Sequence, residues 1–373
     1  MSQPVDGGVG GYVAAAAADQ AARGWDVIVA TPQPGAHPGV SHVRWNATRS
    51  PGPATLGEAR ALGRLIHLTD PDVIHLHSAK AGLAGRLVIR GVRPTIFQPH
   101  GWSWLACRGV MTRVSAAWER MAAGWATALV CVGEGEVELA HEQGVVGNLV
   151  VIRNGVDLRR YHPAQSHERL LARAGLGLPP HAPLAVCVGR LTEQKGQDLL
   201  LRAWPRVRAA CPAATLALVG DGDLQEELRA AAPPGVRFAG PAADVRPWYV
   251  AADVVVLPSR WEGLPLIALE AMACGRPVVA TAIPGLSEVL TPSPAAPVPP
   301  GALVPPGDVA ALAEAVADRL RDPAAAEAEG QAAAVRATHF DARLTFARLA
   351  ELTSRLALVP EVVAVQERAR AGQ

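Results

Sequence analysis

Short β-branched runs alternate along this chain with Ala-, Leu- and Arg-rich stretches of helical period. Segments Asp26 to Ala30, Val73 to His77, Pro94 to Gln98, Ala128 to Val132 and Leu149 to Ile152 predict strands. Between them, Tyr12 to Arg23, Thr55 to Thr69, Ala79 to Arg90 and Val110 to Ala123 predict helices. Near-continuous apolar strands separated by helical patterns are the signature of a parallel sheet covered on both faces. The pattern repeats after residue 183, with strands at Leu184 to Val188, Thr215 to Val219, Val236 to Phe238, Val254 to Leu257 and Pro277 to Thr281. Helices are predicted near Gln197 to Ala210, Leu224 to Ala232, Leu266 to Ala273 and Ala310 to Arg321.

Proline marks the interruptions. Pro163, Pro179, Pro180 and Pro183 place a connector over Tyr161 to Pro183, and seven prolines between Thr291 and Pro306 predict a loop there. The predicted organisation is therefore an α/β chain of two doubly wound domains, 1–160 and 184–340, joined by residues 161–183. A helix over 341–358 is expected to pack back toward the first domain, and residues 359–373 read as a frayed tail. Only Met1 to Asp6 precede Gly7-Gly8-Val9-Gly10-Gly11, so the strand that opens a doubly wound domain is expected to be truncated or absent.

Composition agrees with two domains: 373 residues, 50% of them apolar, exceed what one core usually encloses. A formal charge of +1, from 35 Lys+Arg against 34 Asp+Glu, with no long basic block, argues against a nucleic-acid partner. No apolar stretch reaches roughly 18 residues and no charged n-region precedes an apolar h-region, so neither a membrane span nor a signal peptide is expected. The five scattered cysteines form no C-x-x-C and read as buried thiols of a cytoplasmic protein.

Two clusters could carry chemistry. Gly189-Arg190 leaves an apolar strand, and Lys195-Gly196 follows at a helix start, so two cations meet free backbone N–H groups, an arrangement suited to a phosphate or diphosphate. The plain alternative is two solvated charges in a βα loop. The second cluster, Glu262-Gly263-Leu264-Pro265, enters a helix near Pro265 that carries Glu270. Carboxylates at both positions can accept pairs of vicinal hydroxyls of one ligand. Glu270 sits among apolar Leu269, Ala271 and Met272, which favours a cleft-lining acid over a solvated one.

The segments Gly189 to Gly196, Gly220-Asp221-Gly222, Pro258 to Gly263, Glu270 to Val279 and Arg153-Asn154-Gly155-Val156-Asp157 together resemble the donor-binding half of a family 4 glycosyltransferase. The resemblance implies a GT-B architecture, two Rossmann-like domains facing across a cleft, and transfer of a sugar from a nucleoside-diphosphate-sugar with retention and without a metal or other cofactor. By resemblance, Arg190 and Lys195 hold the diphosphate, Glu270 the ribose hydroxyls and Glu262 the hydroxyls of the transferred sugar, with Gly189 and the backbone of Gly263 and Leu264 at the donor. His100, in Pro99-His100-Gly101 after a strand, matches the family histidine that faces the sugar from the first domain. Gly8, Gly10 and Gly11 match the glycine turn that approaches the donor phosphate.

Other signals are set aside. Asp221-Gly222-Asp223 mimics a metal-binding D-x-D but lies in a donor-side loop, and His75-x-His77 puts two imidazoles on one strand face with no third ligand visible. Met111, Val114, Trp118, Met121 and Trp125 recur at helical spacing, which predicts a stripe packed into its own domain. The sharper alternative makes Trp102, Trp104, Trp118 and Trp125, with Arg108, Arg113 and Arg120, a peripheral membrane contact serving a lipid-linked acceptor. A nucleotide-sugar epimerase and a non-catalytic nucleotide-sugar binder remain the rival functions.

Overall fold

The computed structural model describes residues 1–2, 7–33, 39–292 and 298–358. It divides into two units, Met1–Arg153 together with the chain from Leu344, and Asn154–Arg343. The expected tail, 359–373, lies outside the described residues, as do residues 293–297 of the expected loop.

In the first unit the chain runs α1 (Gly7–Ala22), β1 (Ile28–Thr31), β2 (Ser41–Arg44), α2 (Thr55–Thr69), β3 (Ile74–His77), α3 (Ser78–Ile89), β4 (Thr95–Gln98), α4 (Val110–Ala123), β5 (Ala128–Cys131), α5 (Glu134–Glu142) and β6 (Leu149–Val151). β3 to β6 form a parallel sheet in chain order, and β1 and β2 a parallel pair. Met1 and Ser2 occupy the position between them. The Ser2 N–H donates to Ala30 O at 3.2 Å and the His77 N–H donates to Met1 O at 2.9 Å. These two residues stand where the opening strand was expected to be truncated or absent.

Both sheet faces are covered, which is why β4 and β5 carry no polar alternation. Leu62, Leu76, Phe97 and Leu129 pack on one side; Val29, Ile96, Val130 and Ile152 pack on the other with Tyr12 and Val13. Arg86 of α3 is buried there as an ion pair with Glu119 of α4, 2.7 Å apart, and its guanidinium lies 3.8 Å from the Phe97 ring centroid.

That pair decides how α4 is rotated. Its buried side is Ala116, Glu119, Ala122 and Ala123, while Val110, Met111, Val114 and Met121 are exposed beside Arg113 and Arg120. The predicted inward stripe is therefore corrected: Met111, Val114 and Met121 point out, and only Trp118 and Trp125 are half-buried, edge to face at 5.8 Å. Trp102 and Trp104 belong to no exposed rim, being buried and stacked at 4.8 Å.

The second unit runs α6 (Ser166–Gly175), β7 (Leu184–Val188), α7 (Gln197–Ala210), β8 (Thr215–Val219), α8 (Gln225–Ala230), β9 (Val236–Gly240), α9 (Arg246–Ala251), β10 (Val254–Leu257), α10 (Leu266–Ala273), β11 (Val278–Thr281), α11 (Pro284–Leu290), β12 (Gly301–Val304), α12 (Val309–Arg321) and α13 (Pro323–Ala337). Its six parallel strands are ordered β12-β11-β10-β7-β8-β9. The winding reverses between β7 and β10, and loops leaving the carboxyl ends of two such strands diverge to leave a crevice, the usual ligand position in open α/β sheets.

Residues 161–183 do more than connect. They contain α6, opened by a capping box between Gln165 and Glu168, and belong to the second unit. Arg173 of α6 is buried and donates to Ala251 O (3.0 Å), Ala182 O (2.7 Å) and Asp253 Oδ2 (2.9 Å), tying the helix to the sheet. The proline-crowded loop also holds a strand: β12 pairs with β11 at the sheet edge, with its prolines flanking rather than interrupting it. The final helix, α14 (Ala342–Ala357), places Leu349 and Leu352 in the core of the first unit beside Tyr12 and Val13.

Candidate functional site

In the second unit, β7 and β10 deliver two loops that lock onto each other. The first passes Gly189 and Arg190 into a 3-10 turn, Glu193–Lys195, and then Gly196 at the start of α7. Gly196 has φ +67°, and a Cβ there would lie 2.0 Å from Pro258 O, so only glycine lets this turn meet the loop after β10. Arg260 completes the join with a bidentate pair to Asp198 (2.6 and 2.8 Å) and a bond to Glu193 O (2.7 Å).

This contact gathers the predicted charges. The Lys195 Nζ lies 2.5 Å from Glu262 Oε1, which also accepts from Ser259 Oγ at 2.7 Å. Gln194 links the other cation: its Oε1 accepts from Arg190 Nη2 at 3.3 Å, and its Nε2 donates to Trp261 O at 3.0 Å and Glu262 Oε2 at 3.4 Å. Glu262 is buried and its charge is met by an ammonium. An ammonium carries three donors, so pairing with Glu262 does not exhaust Lys195.

Glu270 stands on α10, five residues in, within a separate polar cluster. Its Oε2 accepts from the buried Tyr249 hydroxyl at 2.8 Å, and Tyr161 bonds to it as well. Burial raises the Glu270 carboxyl to about 7, against the lowering effect of the two tyrosines and Arg160. Burial and the neighbouring carboxylate push Tyr249 well above its ordinary value, so it remains a donor.

Between these clusters runs the short loop Glu262-Gly263-Leu264. Leu264 O accepts from Asn154 Nδ2 at 2.7 Å, and Gly263 O rests on Gly285 in the first turn of α11. Gly189 follows β7 directly and donates its N–H to Val219 O at 2.9 Å. Asp221 and Asp223 lie in the neighbouring loop, where Asp221 O accepts the Leu191 N–H at 2.7 Å.

The first unit places its candidates at the ends of β3 and β4. His100 has a left-handed backbone (φ +53°), and its Nε2 lies 3.0 Å from His77 Nδ1. Tyr12 meets the His100 ring edge to face at 4.9 Å, and the His75 and His77 rings are 3.9 Å apart. The Gly101 N–H donates to Glu136 Oε1, whose other oxygen accepts the Val132 N–H at 2.8 Å, so α5 anchors the turn after His100. Burial lowers His100 to about 3 and holds His75 and His77 well below their ordinary value, so all three imidazoles are neutral at pH 7.

A third histidine, His100, thus stands beside His75-x-His77. The nitrogens of His77 and His100 face each other rather than a common point, and among the described residues no three His, Cys, Asp or Glu side chains form a metal-ligand set. Gly8 and Gly10 lie in the first turn of α1, where the leading helix N–H groups have no intrahelical acceptor, and Gly11 opens the second turn; Gly8 and Gly11 are exposed.

Sequence reasoning missed Gln194, Ser259, Tyr249, Tyr161, His77 and Asn154. Gln194, Ser259 and Asn154 sit inside the quoted motifs, and His77 stands in the sequence only as half of a metal-like pair; Tyr249 and Tyr161 reach the site only through the tertiary fold.

Comparison with known proteins covers both units. Residues 6–160 match the model of Glycosyltransferase Family 4, and residues 182–322 match that of Glycosyl transferases group 1. A D-inositol 3-phosphate glycosyltransferase of Catenulispora acidiphila is 31% identical over 73% of this chain and 69% of its own length. The chain belongs to glycosyltransferase family 4.

A GDP-mannose-dependent monoacylated α-(1-6)-phosphatidylinositol monomannoside mannosyltransferase of Corynebacterium glutamicum is 36% identical over 48% of this chain. A UDP-Gal:α-D-GlcNAc-diphosphoundecaprenol α-1,3-galactosyltransferase of Escherichia coli is 30% identical over 60% of it. The chain spans 49% and 61% of those two relatives. Among solved structures, sucrose-phosphate synthase of Thermosynechococcus elongatus superposes with a TM-score of 0.80 at 26% identity, covering 94% of both chains. HepE of Anabaena, in complex with UDP-glucose, gives 0.76 at 22% identity over 94% of this chain and 96% of its own. The two parallel-sheet units of this family 4 chain are the Rossmann-like domains of a GT-B fold.

Proposed function

We propose that this protein is a retaining glycosyltransferase that moves a sugar from a nucleoside-diphosphate-sugar to an acceptor hydroxyl, without a metal. The observation that carries the reading is the contact of Lys195 with Glu262, with Arg190 joined to the same carboxylate through Gln194. A diphosphate needs cations and a sugar needs acceptors, and here both stand on loops from neighbouring strands at the switch point. As the bond from the anomeric carbon to the β-phosphate oxygen breaks, negative charge grows on the diphosphate. Arg190 and Lys195 stabilise that charge more in the transition state than before it. The acceptor oxygen attacks the face that the leaving group vacates, and its proton passes to the departing phosphate oxygen. Glu262 accepts hydroxyls of the sugar, and Glu270 those of the ribose.

His100 and the α1 glycines are assigned to the same donor by resemblance. Neutral His100 can offer one N–H and one lone pair but no charge. The relatives named above are transferases, which leaves the epimerase reading without support. A thermal-shift panel of UDP, GDP and ADP with their sugars tests the proposal, since a ligand that binds only the folded state raises Tm. Stabilisation by one nucleotide series, with slow hydrolysis of its sugar conjugate, supports transfer. Tight binding with no turnover on any donor favours the non-catalytic binder.

The acceptor is proposed to be lipid-linked, met at the cytoplasmic membrane surface. No helix among the described residues is long and apolar enough to cross a membrane. The outward face of α4 combines Val110, Met111, Val114 and Met121 with Arg113 and Arg120, while the helix's one carboxylate, Glu119, is buried. Such a face suits an anionic bilayer, and a second copy would set arginine against arginine. Co-sedimentation with phosphatidylglycerol vesicles at low salt, lost on Met111→Ser with Arg113→Ser, is the expected result; no sedimentation of the parent rejects the membrane contact.

A further inference from the structure

We infer that Asn154 is a positioning residue for the Glu262-Gly263-Leu264 loop, acting through its hydrogen bond to the Leu264 carbonyl. The inference rests on the donor reading of that loop and adds a residue to it.

Asn154 lies 110 residues from Leu264 in the chain, yet the residue is only 7% exposed and its Nδ2 is 2.7 Å from Leu264 O. The orientation of the amide follows from chemistry. A carbonyl only accepts, so the nitrogen must face it, and the reverse would oppose two oxygens. This leaves Asn154 Oδ1 buried with no partner among the described residues, a desolvation cost that a purely space-filling residue would avoid.

The loop it holds has no helix or strand to set its peptide planes. Two neighbours do so instead. The Gly263 carbonyl is turned onto Gly285, so closely that a Cβ at position 285 would lie 1.4 Å from its oxygen. In a planar trans peptide the N–H points opposite to the C=O, so the Leu264 N–H is aimed away from α11. Asn154 then pins the next plane through Leu264 O, and Pro265, which has no N–H, closes the loop onto α10. Two consecutive planes are thereby fixed before any ligand arrives. A backbone donor held in this way needs no reorganisation when charge develops near it.

Three variants of the full chain test this: Asn154→Ala, the milder Asn154→Ser should alanine not fold, and Asn154→Asp. Two quantities are measured. One is affinity for whichever of UDP, GDP and ADP gives the parent its largest thermal shift; the other is kcat for hydrolysis of the matching nucleotide-sugar. Asn154→Ala is expected to keep diphosphate affinity within about three-fold while kcat falls about ten-fold to a hundred-fold, because misplacement of a positioned group acts on the reacting geometry. Asn154→Asp sets a carboxylate against Leu264 O at pH 8 but can donate an O–H to it once protonated. Its kcat relative to the parent should therefore recover toward pH 5, while that of Asn154→Ala stays flat.

Loss of kcat and of diphosphate affinity in equal measure, kcat within two-fold of the parent, or an aspartate variant with no recovery would each overturn the role. A parent that binds none of the three diphosphates would sink the transferase reading and this inference with it, which separates that failure from the failure of Asn154 alone.

Discussion

The loops after β7 and β10 bring Arg190, Lys195, Glu262 and the Arg260–Asp198 pair together, and there the buried Glu262 is met by Lys195 and the half-buried Arg260 by Asp198. The cluster at the ends of β3 and β4 gathers His75, His77 and His100, and among the described residues no carboxylate shifts any of them. Both are polar sites in a desolvated setting, and they meet its cost differently. One keeps its charges and pairs them; the other stays uncharged. The first can respond to charge on a ligand, while the second can only offer or accept a hydrogen bond.

The largest expected effect comes from breaking the paired site. Lys195→Ala should lower kcat for nucleotide-sugar turnover about 10² to 10³-fold, measured by release of the nucleoside diphosphate. It also strands Glu262, at a cost of about 1 to 3 kcal/mol. Adding Glu262→Gln should therefore restore Tm without restoring kcat, and near-normal turnover of the single variant would remove Lys195 from the chemistry.

Acid separates the histidine cluster from Glu270 by sign. The histidines have folded pKa values below the unfolded one, so the unfolded chain binds more protons as pH falls beneath about 6.5, and stability declines by about 1.4 kcal/mol per pH unit per group. For His100 this runs down to about 3. Glu270 acts in reverse: its folded value of about 7 exceeds the unfolded one, so the folded state binds more protons and gains stability as pH drops from 7 toward 4.5. Hydrogen exchange between pH 7 and 5 should show the first unit losing protection, and His77→Gln should flatten that slope. A slope unchanged by His77→Gln would place its origin elsewhere.

A smaller effect concerns the donor. If Glu270 must be ionised to accept ribose hydroxyls, diphosphate-sugar affinity should weaken by up to about ten-fold per pH unit below 7. Tyr249→Phe removes a donor to that carboxylate, worth about 1 kcal/mol, so the midpoint should move to higher pH. Titration calorimetry at three pH values reads both.

Much of the charged site could be read from the chain because its residues sit next to strand ends. Arg190 lies just past Gly189 at the end of β7 and Glu262 lies on the loop after β10, so predicting the strands nearly placed the charges. Asn154 and Leu264, or Tyr249 and Glu270, are joined only by the fold, and no local spacing announces them. β2 went unseen because Ser41-His42-Val43-Arg44 has neither an apolar run nor strict alternation, and α13 because its alanine-rich sequence carries no apolar period. The stripe on α4 misled for a related reason: Glu119, polar in sequence, belongs to the core once Arg86 reaches it.

The Arg86–Glu119 pair has a consequence for how this sequence can change over generations. Losing either member alone abandons a charge under Phe97, a penalty of about 3 to 5 kcal/mol, whereas replacing both with apolar residues of similar volume is close to neutral. Drift across these two positions therefore has to pass through a poorly tolerated single step or happen in tandem. Kindred sequences should hold both members or neither, and a common lineage carrying only one would show that the helix has another way to shelter it.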